Sequence, residues 1–404
     1  MKLKRLPEDF QVEELTEFAA GAGGGHGAGS YAFYRLSKKS IGTPEAVSEI
    51  ARKWHLPRVR ISYGGLKDRH AQTHQYITIQ GGPPKHLEQY NFQLRYLGQA
   101  PRAYTPHEIA GNRFAVVMRD MSADAVRFAK QAIEEVAADG IPNYFDDQRF
   151  GSVGLSGEFI GRSWCAGDYE RALWLALADA YEHDNGEELG QKKILREQWG
   201  NWIECKRLLD RSSRRSIITF LADKPADHPD FRKAFALIQP DLRGLYLSAF
   251  QSALWNQMLA TALRETLPPE QLVDVQLKLG PAPFLRRLFP HQTEELRGLE
   301  LPLPSARLHL EPGPTLTLIE TVLKGFGLEL RELRVKFPRD SFFSKGERKA
   351  CIPVGQVACA DAEDDLYPGR HKMTLNFDLP RGAYATILVK RLTDAATQPD
   401  FGEE

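Results

Sequence analysis

Two stretches of alternating, strand-like sequence stand at opposite ends of this chain, and a long helical and proline-studded stretch separates them. Of all its features, this ordering constrains the fold most, because a sheet split in sequence must close around whatever lies between. Ser30 to Leu36, Val59-Ile61-Tyr63, Tyr76 to Gln80, Phe92 to Leu97 and Phe114 to Arg119 alternate with the period of two expected of strands. Thr43-Pro44 reads as a helix start with a capping hydroxyl, and Val47, Ile50, Ala51 and Trp54 follow on one face. Ser122 caps a second helix carrying Val126, Ala129, Ile133 and Val136, which Gly140 ends. The first 150 residues therefore predict an α+β domain on a mainly antiparallel sheet. From about Gly154 helical patterns take over, in Asp168 to Tyr181 and in Asp241 to Leu263, where Leu247, Phe250 and Leu254 share a face. Nine prolines between Pro268 and Pro314 then break the chain into short elements. Strand-like runs return past Lys336, in Met373 to Leu379 and Tyr384 to Leu392. The reading is one domain inserted into another.

Composition narrows the class. At 404 residues the chain has room for two or three domains, and 42% hydrophobic with 26% charged residues excludes global disorder. No apolar run reaches the length of about 18 residues needed to span a bilayer, and acidic Glu8 and Asp9 follow the basic start where a signal core would be apolar. A cytoplasmic, unexported protein is the expectation. Cys165, Cys205, Cys351 and Cys359 form no CxxC pair and read as buried thiols in a reducing compartment. His70 and His74 have the spacing of a helical metal pair, but Gly64-Gly65 argues against a helix there, and no metal is expected. Six glycines in the nine positions from Gly21 to Gly29 make a loop, with no strand before and no helix after to suit a dinucleotide fingerprint. The 53 basic and 53 acidic residues cancel, but unevenly. Residues 131–190 carry 3 basic against 13 acidic, whereas 192–215 carry 8 against 3 and 331–349 carry 7 against 3. Basic segments of this kind either gather for a polyanion or form ordinary solvated surface.

Three constellations could carry chemistry. Asp68 lies between Lys67 and Arg69 on a loop after a glycine pair. Neighbouring cations could hold it ionised as a nucleophile or general base, or it is a plain turn aspartate. Pro142-Asn143-Tyr144-Phe145 with Gln148-Arg149-Phe150-Gly151 interleaves aromatics with amides and one arginine, which suits base stacking and phosphate contact, or a packed core. Gly111-Asn112-Arg113-Phe114 opens a strand with an asparagine that both donates and accepts.

The wording of these segments adds more. Gly64-Gly65-Leu66-Lys67-Asp68-Arg69-His70-Ala71-Gln72-Thr73-His74-Gln75 resembles the active-site signature of the TruD family of pseudouridine synthases, approximately G-x-K-D-x-x-A-x-T-x-Q. Pro7-Glu8-Asp9-Phe10, preceded by Lys4, resembles the family's opening, and Gly111 to Phe114 its G-N-x-F strand. Ile141 to Gly151, Leu247 to Asn256 and Phe377 to Leu392 resemble three further blocks. The six blocks stand in the family's order from residue 4 to residue 392. Asp146 replaces a usual glycine, and residues 265–335 match nothing specific.

The resemblance implies a pseudouridine-synthase catalytic domain of α+β type over 1–155 and 336–404, interrupted by a TruD-specific domain over 156–335. It implies isomerisation of a uridine in tRNA, expected at position 13. The N1–C1′ bond breaks and the base rejoins through C5, so no cofactor or metal is required. Asp68 would be the catalytic carboxylate, as nucleophile or as base, with Lys4 paired to it. Phe114 would stack on the extruded base and Phe377 close the other side, with Asn112 fixing base or ribose. Phe145, Gln148, Arg149 and Phe150 would shape a neighbouring wall. Flipping a uridine out of a stack costs roughly a few kcal/mol. The basic segments near 38–39, 206–215 and 331–349 would offset that cost through phosphates. A monomer binding tRNA, with no membrane partner, is the expectation. The alternatives are an RNA-binding or RNA-folding protein without catalysis, and a magnesium-dependent aspartate hydrolase, against which the missing D-x-D carboxylate speaks.

Overall fold

In a computed structural model that describes residues 1–21, 29–225 and 228–394, the alternating segments from both ends of the chain join in one nine-stranded sheet. Seven strands come from the N-terminal part: β1 (Phe10–Thr16), β2 (Tyr31–Lys39), β3 (Ile61–Tyr63), β4 (Gln72–Gln80), β5 (Leu87–Gln89), β6 (Phe92–Ala100) and β7 (Ile109–Met121). Strands Gly355–Glu363 and His371–Pro380 supply the rest. From one edge the order is Gly355–Glu363, His371–Pro380, β7, β1, β4, β2, β6, β5, with β3 added against the far half of β4. Only β1 and β4 run parallel; the fold is α+β on a mostly antiparallel sheet, as the alternation predicts. Most of the glycine-rich stretch between β1 and β2 lies outside the described residues.

The described chain divides into two compact units. Met1–Ile141, Leu285–Phe289 and the chain from Ile352 form one, and Pro142–Phe284 with Pro290–Cys351 form the other. The division falls earlier than residue 155 and later than residue 335, so the Pro142-Asn143-Tyr144-Phe145 block belongs to the second unit. In the first unit, helix α1 (Thr43–Lys53) lays Ala46, Val47, Ile50 and Ala51 on Tyr34, Leu36, Ile77, Ile79 and Leu94, a continuous buried cluster. Helix α2 (Ala123–Asp139) is capped by the Ser122 hydroxyl, which accepts from the Ala125 N–H at 3.1 Å, and ends at Gly140. The second unit is mainly helical; its longest helix, Pro240–Thr266, buries Leu247, Phe250 and Leu254 as their spacing predicts. Short strand pairs and helices fill its proline-rich part.

Three local expectations differ. Tyr384 to Leu392 is no strand: Ala385–Asp394 is a helix whose buried residues, Ala385, Ile387, Leu388, Val389, Arg391 and Leu392, include the i, i+3, i+4, i+7 set Ala385, Leu388, Val389 and Leu392. Val59 is 88% exposed on a single 3-10 turn after Pro57, so the strand begins only at Ile61. Thr43 does not cap α1, whose cap is Gly42. Its buried hydroxyl instead donates to Gln75 Oε1 at 2.7 Å and accepts from the Lys67 N–H at 3.0 Å.

Candidate active site

The loop from Gly64 to Ala71 links β3 to β4 beside the parallel partner β1, and it carries Asp68. Gly64 has no room for a side chain: a Cβ there would lie 2.6 Å from Ile109 Cδ1 and 3.0 Å from Tyr104. Side chains and main chain both fix the loop. Thr43 takes the Lys67 N–H, Gln75 Nε2 donates to the Gly65 carbonyl at 3.1 Å, and Lys38 Nζ donates to the Lys67 and Asp68 carbonyls at 3.1 and 2.8 Å.

Lys4 Nζ lies 2.8 Å from Asp68 Oδ2, forming the expected pair. The Asp68 side chain is 44% exposed, so the carboxylate sits at an open surface and not in a sealed pocket. In such a setting Lys4 acts mainly by direction, fixing one oxygen; no partner of Oδ1 is found among the described residues. A short, well-anchored segment brings Lys4 there. Lys2 bridges Arg119 of β7 through both main-chain bonds, at 2.8 and 2.9 Å. At its other end buried Asp9 accepts from Arg119 Nε and Nη and, through Oδ2, from the Leu6 N–H. Between these anchors Lys4 adopts φ +52° and lays its ammonium 4.1 Å over the Phe10 ring.

Register brings the other expected residues of this unit to the same sheet face. Val12 faces Phe114 and Glu14 faces Asn112 across β1 and β7, while Phe377 and Leu379 face Phe114 and Asn112 from the next strand. Gly111 allows that approach, since a Cβ on it would lie 2.6 Å from the Leu379 carbonyl oxygen. Phe10 meets Phe114 edge-on at 6.2 Å, and Phe114 stacks on Phe377 at 5.2 Å and 18°. The two rings touch, and Phe377 is only 1% exposed, so Phe377 backs Phe114 and does not face it across a gap. Lys67 Nζ donates to Asn112 Oδ1 at 2.5 Å and lies 3.1 Å from Glu14 Oε2, whose other oxygen accepts from Tyr104 OH at 2.8 Å. Lys67 occupies the Asn112 carbonyl oxygen, and no partner of its amide N–H₂ is found among the described residues.

Phe145, Gln148, Arg149 and Phe150 lie in the second unit. Phe145 is buried, edge-on to Trp255 at 5.6 Å, with both main-chain polar groups held by Asn256. Phe150 is fully buried, Arg149 donates to Ser248 Oγ at 3.0 Å, and Gln148 is exposed. The two aromatics are core, one of the two readings their composition allowed. Of the basic segments, Lys38 is 2% exposed and so out of reach of a phosphate in solvent, while Lys39 pairs with Glu8. Lys206, Arg207 and Arg214 pair with Asp223, Glu204 and Glu188. Arg334, Lys336, Arg339 and Lys345 are exposed, and no ion pair of theirs is found among the described residues.

Among the described residues no cluster of three potential metal ligands occurs; His74 Nδ1 lies 2.8 Å from Ser37 Oγ, and burial pushes its pKa down. The four cysteines are free, and burial raises Cys351 to about 12. Among the described residues no helix is long and apolar enough to cross a membrane.

Comparison with known proteins places the chain in a family. The family model for tRNA pseudouridine synthase D (TruD) matches residues 1–392. A Methanocaldococcus jannaschii protein named probable tRNA pseudouridine synthase D 2 is 30% identical, over 97% of this chain and 91% of its own. A Methanococcus maripaludis relative, probable tRNA pseudouridine synthase D 1, is 29% identical over 97% and 99%. The tRNA pseudouridine synthase D of Aquifex aeolicus is 28% identical over 97% and 98%. In fold, a TruD crystal structure from Methanosarcina mazei superposes with a TM-score of 0.75 at 24% identity, covering 97% of this chain and 93% of that one. A match of this extent makes the chain a pseudouridine synthase, an isomerase. Within that class it belongs to the tRNA pseudouridine synthase D (TruD) family.

Proposed function

We propose that this chain isomerises a uridine of tRNA, at position 13, with Asp68 as the catalytic carboxylate acting on a flipped-out nucleotide. The observation that carries the reading is the Lys4–Asp68 pair, with Oδ2 held at 2.8 Å and Oδ1 left open. Oδ1 attacks C1′ as N1 leaves and is displaced when C5 bonds to C1′, or it removes the C2′ proton as N1 leaves and returns it when C5 bonds to C1′; in either course N1–C1′ breaks, C5–C1′ forms, the C5 proton leaves and N1 gains one. Asn112 supplies an N–H donor to a uracil carbonyl, since Lys67 occupies its oxygen. Phe114, though only 7% exposed, is the aromatic ring that meets the base, and Phe377 supports it from behind. In the second unit Gln148 and Arg149 are the members of their block suited to RNA, with Phe145 and Phe150 as packing. Arg334, Lys336, Arg339 and Lys345 supply phosphate contacts.

The test is pseudouridine mapping of a tRNA transcript incubated with the wild-type chain and with Asp68→Asn. Product at position 13 with the first and none with the second, at equal tRNA affinity, is expected. Turnover by Asp68→Asn would sink the catalytic assignment, and product at another uridine would sink the position. An RNA-binding role without catalysis requires that the wild-type chain bind tRNA and make no product.

A further inference from the structure

We propose that Lys38 is a positioning residue for the catalytic loop: its buried ammonium, hydrogen-bonded to the carbonyl oxygens of Ile41, Lys67 and Asp68, holds the backbone that aims the Asp68 carboxylate. The inference rests on Asp68 as the catalytic group. Lys38 Nζ donates to these three oxygens at 2.8, 3.1 and 2.8 Å. An ammonium has three N–H donors, so the set is complete, and every acceptor is main chain. Two of the three carbonyls belong to consecutive loop residues, one of them Asp68 itself. The third, Ile41, precedes α1, so the cation ties the end of β2, the turn after it and the loop together. Burying a lysine without a carboxylate in its hydrogen-bond set is costly, which argues for a role that an apolar residue cannot fill.

The charge state of this clamp is adjustable. Burial pushes Lys38 down to about 8; the Asp68 carboxylate of the loop and Glu45 of α1 favour its charge, and Lys67 of the loop opposes it. A neutral amine has two donors and a lone pair, and a lone pair repels a carbonyl oxygen. Raising the pH through 8 therefore releases at least one of the three contacts. Stability moves the other way. The folded value lies below the unfolded lysine value of about 10.4, so the unfolded chain binds more protons in that window. This group's contribution to folding stability thus rises with pH while the loop loosens.

The test is the single-turnover rate at saturating enzyme, with melting temperature, between pH 6.5 and 9.5 for wild type, Lys38→Arg and Lys38→Met. The wild-type rate is expected to fall about tenfold one pH unit above 8 with no drop in melting temperature assignable to this group. Lys38→Arg keeps its charge and loses that fall. Lys38→Met starts about tenfold to a hundredfold slower at pH 7, shows no such fall, and binds tRNA as wild type does. A wild-type rate in folded Lys38→Met, or an unchanged alkaline fall in Lys38→Arg, overturns the proposal. Should the variants not fold, hydrogen exchange of wild-type residues 64–71 relative to β4 decides: opening must increase as pH passes 8, and constant protection refutes the clamp. Asp68→Asn separates the two claims, because its inactivity with unaltered Lys38→Met kinetics defeats the clamp alone.

Discussion

Lys4 occupies the left-handed region at φ +52°, a conformation that costs a side-chain-bearing residue roughly 1–2 kcal/mol and is rarely kept without a use. Its use here is the grip on Asp68 Oδ2. Replacing Lys4→Met should lower the single-turnover rate about a hundredfold through misaim of the carboxylate, with the melting temperature held; comparable rates would assign the pair to the surface. Asn112→Asp should also cost about tenfold if the proposed donor role holds, because the carboxylate keeps the Lys67 contact but loses the N–H donor. Among single residues, legibility followed side-chain type. The Lys4–Asp68 pair was foreseeable from the family's opening and its aspartate motif, since it joins the two segments that carry the resemblance. Lys38 was misread as a phosphate contact, although its parity with buried Ala32, Tyr34 and Leu36 on β2 marks it as inward-facing. Phe10, Glu14 and Lys67 went unassigned because their roles arise from cross-strand register, which alternation does not reveal.

At the level of elements, the segment that carries Lys4 depends on one arginine. Arg119 holds Asp9, Asp364 and Asp365, and two of those carboxylates are buried. Arg119→Met leaves them unpaired and should destabilise the first unit by about 3–5 kcal/mol, measured by denaturant unfolding. The same cluster sets an acid limit. Hydrogen bonds from Lys372 and Arg119 hold Asp365 well below the usual carboxylate range. Asp364 is also lowered: burial alone would raise it, but main-chain N–H groups and Arg119 prevail. Folded values below unfolded ones mean that this stabilisation is complete above about pH 4 and is lost as the pH falls further. Melting temperature should therefore drop below pH 4 in wild type and less steeply in Asp365→Asn. Helices with a capping serine and a clean periodic face, such as α2, were legible to the residue. The final helix was not, because its β-branched residues, Thr386, Ile387 and Val389, suggest a strand unless the spacing of its buried face is weighed.

The whole molecule has no net charge, and many of its cations pair with carboxylates among the described residues. RNA affinity should then rest on exposed cations outside such pairs, of which Arg334, Lys336, Arg339 and Lys345 gather in one segment. Replacing Arg334, Lys336, Arg339 and Lys345 with glutamine should reduce the slope of log affinity against log salt by about 3 to 4 and leave single-turnover chemistry at saturation intact. An unchanged slope would place the phosphate contacts elsewhere. The stack of Phe114 on Phe377 joins residues separated by 263 positions, and the whole second unit is encoded between them. A nascent chain leaving the ribosome therefore completes its helical portion first and keeps the aromatic floor half built until its closing strands emerge. Chains that stop before the strand His371–Pro380 lack this floor and are expected to be inactive, however much of the Asp68 loop they contain.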